Sequence, residues 1–166
     1  MTDAWFDAYD GQTTDELLAL EGAYRTDSLI AAFEQAIQQK PADEPLSKEE
    51  RYVLAIEALE REVNNGGYDQ FFINSSHDYL DVIVEALEAV RCPKVAALTR
   101  RAIEALAIEG AVTGEKAEAV VLRDDEAVRA ALAACDDGYY ADAEPIADLL
   151  FAWIKENRAA VKVGVP

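Results

Sequence analysis

Asn64-Asn65-Gly66-Gly67-Tyr68-Asp69-Gln70-Phe71-Phe72-Ile73-Asn74-Ser75-Ser76-His77-Asp78 is the most particular stretch of the chain, and both of its flanks read as helix. Gly66 and Gly67 supply the unhindered or left-handed backbone that ends a helix. Tyr68, Phe71 and Phe72 form a short aromatic turn whose rings plug the junction between two helices. Asn74, Ser75 and Ser76 are of the types that cap a following helix, and Ser75-x-x-Asp78 is close to a capping box. Asn64, Gln70 and Asn74 can satisfy backbone groups freed by the turn, since orphaned buried donors are costly. The segment reads as a hinge between helices. The other use for the same residues is a small polar pocket.

Upstream, Ser47-x-x-Glu50 is a capping box that opens a helix with Val53, Ile56, Leu59 and Val63 on one face. Before it, Leu29, Ile30, Phe33, Ala36 and Ile37 mark a helix that stops ahead of Pro41, and 40–45 forms a loop. Thr13-x-x-Glu16 opens a further helix through Leu17, Leu18 and Leu20. Downstream, one long helix is expected from about Ser76, with Tyr79, Leu80, Val82, Ile83, Ala86, Leu87 and Val90 on its apolar side. Pro93 suits a helix start, and Val95, Leu98, Ala102, Ile103 and Leu106 continue from it. Weaker helical segments follow at 115–123 and 126–134, and a last clear one carries Ile146, Leu149, Leu150, Trp153 and Ile154. No sustained alternation marks a strand. The expectation is all-α: a single compact multi-helix domain over 1–166, of about seven or eight helices, with 1–12 a short leader.

A chain of 166 residues buries about two-thirds of its unfolded surface, so it can fold without a metal or disulfide staple. Its 51% hydrophobic content is too high for a disordered acidic tail. Cys92 and Cys135 are too few for a disulfide framework. The acidic start lacks a signal-peptide pattern, and no apolar run nears the roughly 18 residues of a membrane span. A cytoplasmic protein is expected. With 33 acidic against 15 basic residues, net −18, direct binding to nucleic acid or anionic lipid is disfavoured by repulsion.

The central stretch resembles the Asn-Gly-Gly-aromatic-x-Gln-Phe-Phe-x-Asn-Ser signature of a bacterial family of all-helical proteins, catalogued as a domain of unknown function, that includes an acidic DNA mimic protein. Asn64, Gly66, Gly67, Tyr68, Gln70, Phe71, Phe72, Asn74 and Ser75 carry the likeness. The run from Asp10 to Glu21, the helix after it, and Tyr139-Tyr140 are similar to the family as well. Tyr68 stands where Phe is common, and His77 follows the Ser pair. The resemblance implies the helical fold and, from one branch, an acidic module that occupies the nucleic-acid site of a basic DNA-binding protein.

Charge patterning can be held against that implication. A duplex shows one charge per about 1.7 Å of axis, whereas one carboxylate per helical turn gives one per about 5.4 Å. Roughly three acidic ridges would match the density. On a single helix, Asp78, Asp81, Glu85 and Glu88 would form one ridge opposite the apolar face, with no Lys or Arg in the stripe. A second surface could come from Asp124, Asp125, Glu126, Asp136, Asp137, Asp142, Glu144 and Asp148, and a third from the acids of the first 21 residues. Six of the fifteen basic residues fall within 91–123, so the rest of the chain is left strongly acidic. Such segregation creates a long-range field that attracts basic partners. The plainer use of the same charge is solvation.

No Walker loop, dinucleotide-binding glycine pattern, zinc spacing or nucleophile elbow is present in the sequence. His77 is the one histidine. His77, Asp78 and Asp81, or Asp124, Asp125 and Glu126, offer carboxylate and imidazole ligands without the spacing of a metal loop. A non-enzyme needing no cofactor is expected. Its partner would be a basic DNA-binding protein, with neither nucleic acid nor membrane bound directly, and monomer and homodimer both remain open. Two alternatives stand beside the mimic: an antitoxin- or immunity-like inhibitor of a basic toxin enzyme, using Tyr139 and Tyr140, and a small-ligand domain around Asn64, Gln70, Asn74 and His77.

Overall fold

A computed structural model describes residues 2–164. It contains ten helices among the described residues: α1 (Thr14–Leu18), α2 (Thr26–Gln38), α3 (Lys48–Gly66), α4 (Tyr68–Asn74), α5 (Ser76–Tyr79), α6 (Ile83–Ala89), α7 (Pro93–Ala105), α8 (Gly114–Leu122), α9 (Glu126–Asp142) and α10 (Ile146–Glu156). Eight of them run seven residues or longer, and the only non-helical pairing described is an isolated bridge between Glu21 and Tyr24. The fold is all-α. The chain forms two compact units, one taking residues up to Leu54 together with those from Pro145 onward, the other Ala55–Glu144. The chain passes from the first to the second within α3.

In the first unit α1 and α10 pack on α2, burying Leu17, Leu29, Ile30, Phe33, Leu150 and Ile154 almost completely. Both local capping boxes form. The Thr13 hydroxyl accepts from Glu16 N, and the Glu16 carboxylate accepts from Thr13 N. The Ser47 hydroxyl accepts from Glu50 N while the Glu50 carboxylate accepts from Ser47 N. Glu50 is only 2% exposed, yet it also takes Lys40 Nζ at 2.6 Å and Lys162 N at 3.0 Å. A buried carboxylate is tolerable with that many donors. Residues 2–12 hold no helix. They lie along the start of α2, where Arg25 N donates to Ala4 O and Phe6 N to the Ser28 hydroxyl.

In the second unit α7 packs on α6 and α9, and α4 is held against α5, α8 and α9. Pro93 occupies the start of α7, where its missing N–H costs nothing. Gly138 lies inside α9, and a Cβ there would stand 2.8 Å from Leu98 Cδ2 on α7, so the glycine sets the closeness of that contact.

Three local expectations are corrected. The aromatic turn after Gly67 is a helix, α4, with Tyr68, Phe71 and Phe72 at positions i, i+3 and i+4. The long helix from Ser76 is two short ones, α5 and α6, separated by a turn at 80–82. Tyr79, Leu80 and Val82 are only half-buried, and the fully buried face begins at Ile83 and continues with Ala86, Leu87 and Val90. Ser75-x-x-Asp78 makes no capping box: the Ser75 side chain caps nothing, and its hydroxyl instead donates to Glu62.

Candidate protein-binding surface

The central stretch is a filled junction. Tyr68, Phe71 and Phe72 are each 0% exposed. The Tyr68 hydroxyl pairs with the Thr99 hydroxyl at 2.9 Å, and burial pushes the phenol well above its usual range. Asn64 donates to Glu60 O within α3, and Asn74 donates to the Glu62 carboxylate at 3.0 Å. Gly67 has φ +97°, a left-handed conformation, and a Cβ there would lie 2.3 Å from a carboxylate oxygen of Asp136. That carboxylate accepts from Tyr68 N at 2.8 Å and so caps the start of α4. Gly67 is therefore fixed by a residue 69 positions later in the chain. The sequence marks the glycine but not its reason.

The acids expected to form the first ridge are all exposed, but they are not one helical stripe. Asp78 belongs to α5, Asp81 to the turn, and Glu85 and Glu88 to α6. No basic residue stands in the row itself, yet Arg100 of α7 reaches it and forms an ion pair with Glu88. A side chain arriving from another helix leaves no trace in the spacing of the stripe itself.

The acids of 124–144 divide by role. Asp125 caps α9 by accepting from Val128 N at 3.0 Å. Glu144 receives Lys94 N at 2.6 Å and Val95 N at 3.1 Å on its two oxygens, which closes the start of α7 where Cys92 offers no cap. With Asp136, three of these carboxylates hold helix termini. Asp124 adopts φ +55° after α8 and pairs with Arg129 at 3.0 Å, and Asp142 pairs with Lys94 at 2.8 Å. Glu126 and Asp137 are exposed, and their side chains make no hydrogen bond or ion pair among the described residues. Asp136 is held above the usual carboxylate range, first by burial and then by the charges of Asp69 and Asp137, against the opposing bond from Tyr68 N.

Three of these acids meet Asp69 of α4 in a cleft of about 300 Å³ between α4, α8 and α9. Asp69, Asp124, Asp125 and Asp136 line it together with Val121, Val128, Leu132 and Arg129. Asp69 went unmarked among the candidate acids, since a lone aspartate in an aromatic segment carries no signal. Tyr139 is buried and donates to Glu60, whereas Tyr140 is 57% exposed and donates to Val63 O.

His77 is exposed and sits 2.7 Å from the Glu118 carboxylate. Cys92 and Cys135 are free and buried. Burial pushes the Cys92 thiol up to about 12 and raises Cys135 too, the reverse of an activated thiolate. Among the described residues no three of His, Cys, Asp and Glu are grouped so as to hold a metal ion, and no helix is long and apolar enough to cross a membrane.

An all-helical protein whose carboxylates outnumber its cations twofold, and whose central glycine pair seats a two-turn aromatic helix, defines a narrow class. The chain belongs to the DMP19-like protein family, whose model matches residues 44–157. No curated protein and no solved structure matches the chain.

Proposed function

We propose that this protein is a DNA mimic: an acidic, non-catalytic, cytoplasmic module that occupies the nucleic-acid-binding surface of a basic partner, such as a transcription factor or nucleoid protein. Membership of the DMP19-like family in a chain of net charge −18 carries the reading. Its support within the fold is a set of exposed carboxylates, Asp78, Asp81, Glu85, Glu126 and Asp137. Glu88, Asp124 and Asp142 join them, because their ion pairs are solvent-exposed and exchange readily for a partner's cations. Asp125, Asp136 and Glu144 orient backbone, and those bonds fix where their charge is presented. Attraction at long range steers the partner, and contact replaces its phosphate ligands with carboxylates.

The test is affinity capture from the host lysate at ionic strengths of about 0.1 M and about 1 M, between which the screening length falls from roughly 10 to 3 Å. A DNA-binding protein should be retained at the lower salt, released at the higher, and displaced by duplex DNA. A retained protein indifferent to DNA would sink the proposal. The combined variant D78N/D81N/E85Q/E88Q should fold normally and retain less of the partner.

A further inference from the structure

We propose that the cleft between α4, α8 and α9 receives an arginine side chain of the basic partner; the assignment rests on the binding-module reading above and names the contact within it. The cleft's volume, about 300 Å³, lies at the small end of ligand pockets, which suits one long side chain better than a metabolite. Its floor is apolar, formed by Val121, Val128 and Leu132, and can cover the methylenes of such a side chain while its charged end stays at the rim.

The rim carboxylates are held in place, unlike ordinary surface acids. Asp69 Oδ1 accepts from Gln70 N at 2.7 Å, Asp125 Oδ1 from Val128 N at 3.0 Å, and Asp136 Oδ1 from Tyr68 N at 2.8 Å. Asp69 and Asp125 keep their second oxygens without a hydrogen bond among the described residues, whereas the second oxygen of Asp136 lies against Gly67 and Asp136 adds its charge from there. Fixed acceptors around an apolar floor need little reordering when a cation arrives, which is where affinity is gained. The chain's own Arg129 already stands in this cleft with its guanidinium on Asp124. One guanidinium against four carboxylates leaves the site strongly in want of cation. A planar guanidinium can span two separated carboxylates with paired N–H donors, as a lysine ammonium cannot.

The experiment uses hexa-arginine and hexa-lysine peptides, equal in charge, titrated calorimetrically into the full chain at about 0.1 M salt. Ala133 lines the cleft from an exposed position on α9, and Ala133→Arg places a tethered guanidinium there without removing any cap. Ala152→Arg, on an exposed position of α10 outside the cleft, makes the same charge change. Hexa-arginine should bind at least about tenfold more tightly than hexa-lysine. Ala133→Arg should remove most of that preference, and Ala152→Arg should leave it within about twofold. Equal affinity for the two peptides, or equal effects of the two substitutions, would overturn the cleft and show a diffuse field. The peptide comparison decides even if Ala133→Arg folds poorly. Mimicry is decided separately by displacement with DNA, so the failure of either reading is visible without the other.

Discussion

At Gly66 and Gly67 two adjacent glycines do different work. Gly67 sits at φ +97° with the Asp136 carboxylate where its Cβ would be, whereas a Cβ on Gly66 meets only the flexible end of Gln70. Gly67→Ala should therefore cost about 2–4 kcal/mol, from left-handed strain together with loss of the cap on α4. Gly66→Ala, at the end of a helix, should lie within about 1 kcal/mol of wild type. Urea denaturation of the pair checks this, and equal costs would refute the assignment. Asp136 makes a second test at the same joint. Its carboxyl is raised by burial, so between the unfolded and folded pKa values the native state holds more protons than the unfolded chain. Its contribution to stability is therefore full below the unfolded value and is lost as pH rises through the folded one. Asp136→Asn keeps an oxygen for Tyr68 N but removes that loss, so its stability relative to wild type should improve as pH climbs from the low carboxylate range toward neutrality. Asp136→Ala, which leaves Tyr68 N without its acceptor, should be destabilised by about 1–2 kcal/mol at neutral pH. A relative stability of Asp136→Asn that does not change with pH would place the titration elsewhere.

Helices were legible where their signals are local. The caps at Thr13 and Ser47, the Pro93 start and the apolar faces of α2, α3 and α10 all lie within a few residues of the element they define. Signals carried by distant residues were not. α4 is opened by Asp136 and α7 by Glu144, 68 and 50 positions away by sequence separation, and both acids read from the sequence simply as charge. The helical segment expected at 126–134 continues to Asp142 as α9, through Gly138, where the missing side chain admits Leu98 of α7. The break at 80–82 has no glycine or proline to announce it, so the charge row across it looked continuous. Glu144 gives this scale its test. Both its oxygens accept from the first N–H groups of α7, at the end where the helix dipole favours negative charge. Glu144→Ala should destabilise by about 1–2 kcal/mol, with amide exchange quickening first at Lys94 and Val95. Glu144→Gln, still an acceptor, should lose less. Exchange that quickens evenly through the chain instead would mean that Glu144 is not the local cap.

For the whole molecule the net charge of −18 was legible from composition, whereas its allocation among caps, ion pairs and exposed acids needed the fold. That allocation bears on stability. Exposed pairs such as Glu88 with Arg100 and Asp142 with Lys94 offset little of the repulsion among the remaining carboxylates. A surface charged in this way opposes its own compaction, and mobile cations relieve the opposition by screening. Raising sodium chloride from about 0.1 M to about 1 M should therefore raise the melting temperature, while the same change weakens capture of a basic partner. These opposite responses are expected of a surface kept acidic for binding, because the attraction that serves the complex is the repulsion that strains the free protein. The D78N/D81N/E85Q/E88Q variant supplies the control: with less repulsion to screen, its melting temperature should start higher and rise less with salt. A variant that melts lower than wild type at low salt would show that these four acids stabilise the fold, and the binding role assigned to them would have to move to Glu126, Asp137 and the cleft.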